Sequence, residues 1–252
     1  MSDTSSAQRK NGFPFINANT LTVLAGIFML SDHLWATIIP GNNWMTYIGR
    51  LAFPLYAFKI SEGFVHTSDV KKYAKRLFIF ALISEIPFNM MYISYPVFPL
   101  HQNVMFTLLL GLLCIWEIDK VRKNASVKNV IISAAKICLY LFLSVCGFVD
   151  YGIWGVLTVV LFYVCRGFKF KNIMLTAGMI FINIFGFKGQ QLPLNIFGNT
   201  LMFPVQGFAV FSLVFVFLYN GEKAPSTKAG KFFSYAFYPL HMLILSLIRY
   251  VM

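Results

Sequence analysis

Nine apolar runs, each of a length that crosses about 30 Å of hydrocarbon, leave this chain little freedom of fold class. They lie at about 19–40, 44–65, 71–94, 102–118, 127–148, 150–166, 170–188, 200–219 and 231–251. A chain in lipid must satisfy every backbone polar group within its own span, which leaves helices or closed barrels. Runs of about 20 residues are helical in that setting. Only 12% of the residues are charged, against roughly 25% in soluble domains. The connections are too short for a soluble domain. The expectation is therefore all-α: one polytopic bundle of about nine transmembrane helices over residues 19–252, preceded by a polar tail at 1–18. That tail leads into a run that carries an Asp-His pair and no small-residue cleavage site, so no signal peptide is expected. The stretch Gly186 to Asn199, with Gly189, Pro193 and Gly198, reads as an irregular external loop.

The positive charge is topological. Sixteen of the 21 Lys and Arg fall in one alternating set of connections, among them Lys71, Lys72, Lys75 and Arg76. The opposite set holds only Lys188 and Arg249. By the positive-inside rule this places the N-terminus in the cytoplasm and the C-terminus outside, in a multi-pass protein of the cell's inner (cytoplasmic) membrane. The net charge of +12 then needs no nucleic-acid partner. Cys114, Cys138, Cys146 and Cys165 are scattered without metal-type spacing, so no metal is expected.

Polar residues inside the runs carry the chemistry. An ionisable group at membrane depth costs at least about 2.5 kcal/mol and faces a partner or a cavity. Asp32 and His33 adjoin in the first run, about 10 Å below the outer surface at 1.5 Å per residue. Arg50, in the second run, lies about 9 Å deep by the same count. The short link makes the two helices antiparallel neighbours, so the trio can meet at one level. Glu85 lies about 13 Å deep, His241 is near the midplane, and Asp150 and His101 sit at the outer rim. Lys59, Glu62 and His66 share a helix face at i, i+3 and i+4 spacing. Lys59 with Glu62 reads most simply as an ion pair, His66 and His101 as hydrated interfacial residues, and His241 as bonding a neighbouring carbonyl or entering the same cavity as His33.

A His beside a carboxylate can take a proton from an amine or hydroxyl. An Arg in a dry pocket can stabilise the oxyanion of a tetrahedral intermediate. Together they suit acyl transfer from a thioester. The same groups also suit a proton relay in a transporter or flippase, and periodicity does not separate the two.

The stretch Ile48-Gly49-Arg50-Leu51-Ala52-Phe53-Pro54-Leu55-Tyr56-Ala57-Phe58 resembles the hallmark of the TraX family, integral membrane proteins linked to N-acetylation of conjugative pilin. The resemblance extends to Met29-Leu30-Ser31-Asp32-His33, Glu62-Gly63-Phe64 and Ala81 to Phe88, then to Asp150 to Gly155 and Phe237 to His241. It also suggests a distant relation to membrane acyltransferases of the acyltransferase-three type. The resemblance implies an acetyltransferase with acetyl-CoA as acyl donor and an acceptor protein, peptide or envelope molecule, the cofactor entering from the cytoplasm. Carried over, His33 is the base and Arg50 the anion stabiliser, with Asp32, Glu85 and His241 as further catalytic candidates. Lys71, Lys72, Lys75 and Arg76, with Lys59 and Glu62 deeper, are the candidates for holding CoA. A non-catalytic subunit of a pilus or secretion apparatus is the third reading. Membrane lipid is the expected surrounding partner.

Overall fold

The computed structural model describes residues 16–187, 189–222 and 228–252, the side chains of Ile196 and of residues 228–234 excepted. The tail at 1–15, with Arg9 and Lys10, and the loop residues Lys188 and Lys223 lie outside the described residues. Among the described residues the helices are α1 (Ala18–Thr37), α2 (Trp44–Gly49), α3 (Ala52–His66), α4 (Val70–Ile93), α5 (Val104–Lys123), α6 (Val127–Cys146), α7 (Gly152–Val164), α8 (Lys171–Ile180), α9 (Ser212–Phe217) and α10 (Lys228–Val251).

Their starts follow from sequence. Asn17 caps α1 by accepting from the amides of Asn19 and Thr20, both at 3.0 Å. Asp69 caps α4 through Lys72, Asn103 caps α5 through Met105, and Ser126 caps α6 through Asn129. Each supplies an oxygen to an otherwise orphaned N–H.

Four expectations change. The run at 44–65 is divided at Arg50 and Leu51 into α2 and α3. Pro54 is the cause: it has no N–H to offer the Arg50 carbonyl four residues back, and its ring crowds that carbonyl. The run at 170–188 is α8 followed by a π-helical turn, Phe181–Gly186. The stretch 200–219 is not one helix. It begins in strand β2 (Asn199–Pro204), tightens to a 3₁₀ segment, Val205–Phe211, and only then becomes α9. The external loop at 186–199 contains strand β1 (Gln191–Ile196), antiparallel to β2, so a two-stranded hairpin interrupts the all-α pattern.

Six helices close a ring, each packing on the next: α1 on α3, α3 on α7, α7 on α5, α5 on α4, α4 on α10, and α10 back on α1. Leu55, Leu77, Leu112, Ile115, Val159 and Met242 are fully buried inside it. The outside is apolar. Phe78, Leu82, Ile83 and Ile86 of α4, Ile131, Leu139 and Phe142 of α6, and Ile244, Leu247 and Ile248 of α10 are all exposed. Such a surface would be an aggregation hazard in water and fits a bilayer. Among the described residues two helices, Val70–Ile93 and Val127–Cys146, are long and apolar enough to cross a membrane by themselves. The protein is a helical membrane protein with an apolar exterior.

Candidate active site

One cavity of about 1740 Å³ runs through the ring. At one end it is lined by Glu62, Gly63, His66 and Thr67, close to the Lys- and Arg-rich connections; this is called the basic end here. Lys59 and Tyr56 line its middle, then Asp32, His33, Thr46, Arg50 and Tyr92. Tyr151, Trp154, Phe187, Gln190 and Pro204 lead to the opposite, far end.

Asp32 and Arg50 meet. The Arg50 Nη2 lies 2.5 Å from both carboxylate oxygens of Asp32. Thr46 donates its hydroxyl to Asp32 Oδ1 at 2.7 Å. Arg50 also reaches back to Thr46, with Nη2 on the hydroxyl at 3.1 Å and Nε on the carbonyl at 3.4 Å. Gly49 makes this approach possible: a Cβ there would come within 2.7 Å of Asp32 Oδ1. With Nη2 and Nε engaged, Nη1 has no hydrogen-bond partner among the described residues and remains a two-proton donor on a cavity-lining side chain.

His33 does not use its neighbour Asp32, because successive side chains on a helix point about 100° apart. Its Nδ1 lies 2.6 Å from Nε2 of His241. The two rings are nearly coplanar, 9° apart with centroids at 4.9 Å, as an edge-to-edge hydrogen bond requires. His241 Nδ1 in turn lies 2.7 Å from the Phe237 carbonyl oxygen. A carbonyl only accepts, so His241 carries its proton on Nδ1. In the neutral ring Nε2 is then the acceptor, and His33 must donate from Nδ1. That leaves His33 Nε2 unprotonated, a base held in one tautomer. Both rings are buried, at 7% and 5% exposure. His241 thus bonds a neighbouring carbonyl, and it is also the partner of His33.

The other candidates separate. Glu85 lies outside the cavity lining. It accepts from the Asn103 amide at 2.8 Å and from the Asn103 side chain, fixing the N-terminus of α5. Lys59 does not pair with Glu62. Glu62 is taken by Arg166, from beyond α7, and by His66 at 3.6 Å. Lys59 instead donates to the Thr22 hydroxyl on α1. Among the described residues no carboxylate stands within ion-pair distance of Lys59. Lys71, Lys72, Lys75 and Arg76 are exposed and do not line the cavity; Lys72 faces Asp69 at 3.5 Å. His101 and Asp150 stand 3.8 Å apart at the far end.

Sequence reasoning missed Thr46, Tyr92 and Tyr151. Tyr92 meets His33 edge-on, with ring centroids 6.1 Å apart. Tyr151 stacks on Phe53 at 4.0 Å, in a left-handed backbone conformation with φ +63°. Thr46 stands one turn before Arg50, a spacing that was legible. Nothing about the tyrosines distinguishes them from the aromatics expected at any membrane interface.

The family model for TraX protein matches residues 17–249, a range that contains every residue of this site. A probable fimbrial assembly protein, FimC of serogroup H1 from Dichelobacter nodosus, is 28% identical over 248 residues, covering 91% of this chain and 94% of that protein. No solved structure matches the chain.

Proposed function

The chain belongs to the TraX family, and from that premise we propose that it is an inner-membrane acetyltransferase of fimbrial or pilus assembly, moving an acetyl group from cytoplasmic acetyl-CoA to an amine or hydroxyl acceptor. The observation that carries this reading is the free Nε2 of His33, fixed as a base by the His241 and Phe237 chain and facing a cavity it shares with Arg50.

His33 Nε2 removes the proton of the acceptor N–H or O–H as the acceptor attacks the thioester carbonyl carbon. The new C–N or C–O bond leaves an oxyanion within the reach of Arg50 Nη1, whose neighbouring Nη2 is anchored on Asp32. Collapse breaks the C–S bond. The departing thiolate takes the proton back from His33, giving CoA and the acetylated acceptor. During this exchange the His33 imidazolium keeps its hydrogen bond to His241 Nε2.

Among the described residues, Lys59 is a cavity-lining cation with a hydroxyl partner and no carboxylate. It is suited to an anionic group of the donor, with the donor entering at the basic end and its thioester advancing toward His33. On this reading the N-terminus lies in the cytoplasm, and the exposed Lys71, Lys72, Lys75 and Arg76 act by long-range attraction of CoA rather than by lining its path.

Purified protein in detergent, given acetyl-CoA and a peptide with a free amino terminus, should release CoA thiol and yield acetylated peptide, with both products lost in His33→Ala. CoA release in neither protein would leave the other readings standing. A transporter reading has its own support in the cavity's reach from the basic end to the far end. Proton uptake coupled to solute movement, without thiol release, would favour it.

A further inference from the structure

The two mouths of the cavity differ in chemistry. The basic-end mouth carries Glu62, His66 and, deeper, Lys59. The far mouth is ringed by Phe148, Phe185 and Trp154, with Phe148 53% and Phe185 72% exposed. From Gly189 to Gly221 the sequence has no charged residue. The hairpin rises from this mouth, and Gln190, Pro204, Val205 and Gln206 at its base line the cavity. It is tied down there by the Val205 amide on the Gln190 carbonyl at 2.9 Å and by Gln206 on Asn183 of the π turn at 3.1 Å.

The hairpin's register decides which backbone groups are free. Its loop is the two residues Phe197 and Gly198, with φ of +50° and +81°. This is the type I′ pattern, in which the flanking pair, Ile196 with Asn199, is hydrogen-bonded. Alternation then turns the backbone groups of Leu194, Leu201, Leu192 and Phe203 toward the partner strand. Asn195, Pro193 and Gln191 point outward on β1, and Thr200, Met202 and Pro204 point outward on β2. Pro193 has no N–H, so the β1 edge is interrupted in its middle. The β2 edge keeps the N–H and C=O of both Thr200 and Met202. Among the described residues neither amide is used by a bond outside the hairpin, and Met202 is 55% exposed. An open edge of this kind is a template for an added strand.

We propose that a polypeptide acceptor docks by adding an uncharged, extended segment as a third strand to the open edge of β2, sending its free amino terminus through the far mouth to His33. This rests on the acetyltransferase reading. A lipid offers no ladder of amides to match Thr200 and Met202, and a charged peptide would meet no counter-charge between Gly189 and Gly221.

The test is equilibrium binding of a fluorescent octapeptide of alternating valine and threonine, with a free amino terminus, to the full-length protein in detergent, read by anisotropy. The same peptide methylated on alternate backbone nitrogens should bind about tenfold more weakly, as should the wild-type peptide to Met202→Pro, each losing one or two ladder hydrogen bonds. Met202→Thr, which keeps the N–H, should bind as the parent protein does. No binding of the octapeptide, or equal binding of its methylated form, overturns the proposal. So does loss of binding in Phe197→Ser with none in Met202→Pro, which would make the hairpin an apolar anchor in the bilayer. CoA binding measured separately by calorimetry keeps the two readings apart: its absence would remove the acetyltransferase reading while leaving peptide docking on β2 intact.

Discussion

The middle of the cavity and its far half hold their charges differently. In the far half the central side chains hold one another: Asp32 is engaged by Arg50 and Thr46, His33 by His241, and His241 by the Phe237 carbonyl. In the middle, Lys59 has a hydroxyl for company and no carboxylate. Matched groups are fixed in place before any substrate arrives, which is what positioning for a reaction needs. An unmatched, half-buried cation has its electrostatic need met by what enters, which is what recognition needs. One cavity therefore divides its labour along its length.

The comparison breaks first at the bases. His33→Ala should lower kcat by about 10²–10⁴-fold with the fold intact, measured as acetyl transfer alongside an unchanged gel-filtration profile. His241→Asn, which loosens the tautomer, should cost at least about 10²-fold. Loss in neither would mean that the matched half is structural. Next comes the ion pair. Asp32→Asn leaves the Arg50 charge without its partner and should destabilise the protein by about 3 kcal/mol, read as a lowered midpoint of thermal unfolding in detergent. Lys59→Met should do the reverse of the His33 change. Its KM for acetyl-CoA should rise about tenfold with kcat nearly constant, the mark of a contact made alike in ground and transition states. Charge reversal of Lys72 and Arg76 together should raise that KM by less, and the effect should vanish in high salt because both residues are exposed. A rise in KM from Lys72 and Arg76 that exceeds the Lys59 effect would move recognition out of the cavity.

The smallest effect lies at the rim. The neighbouring Asp150 carboxylate holds His101 above its ordinary pKa of 6.5, while partial burial opposes it. A raised pKa in the folded state contributes stability that is fully present below 6.5 and is lost as pH rises through the folded value. His101→Gln should thus lower the unfolding midpoint slightly in mild acid and not at all in alkali. An equal loss at both would show that His101 acts by packing.

Much of the scaffold was legible. Apolar runs mark the helices. The hairpin was not, because Gly189, Pro193 and Gly198 make the segment that holds β1 read as a loop, while Leu201 and Phe203 of β2 read as the start of the apolar run at 200–219. Depth counting brought Asp32 to Arg50, since both sit on neighbouring helices near one surface. It did not pair His33 with His241, which lie 208 residues apart: only the packing of α10 on α1 decides that contact. The Lys59 and Glu62 pairing failed for a related reason. Spacing along one helix says which side chains are close, and Arg166 from another element was closer.

The hydrogen-bond chain from His33 ends at the Phe237 carbonyl, an oxygen that receives a hydrogen bond and never keeps the proton. Nothing beyond it leads to water along this path. On the acetyltransferase reading, a proton lifted from the acceptor stays on His33 Nε2 until the leaving group in the cavity collects it. Donor and acceptor must then occupy the protein at the same time, and initial-rate plots against the two substrates should intersect rather than run parallel.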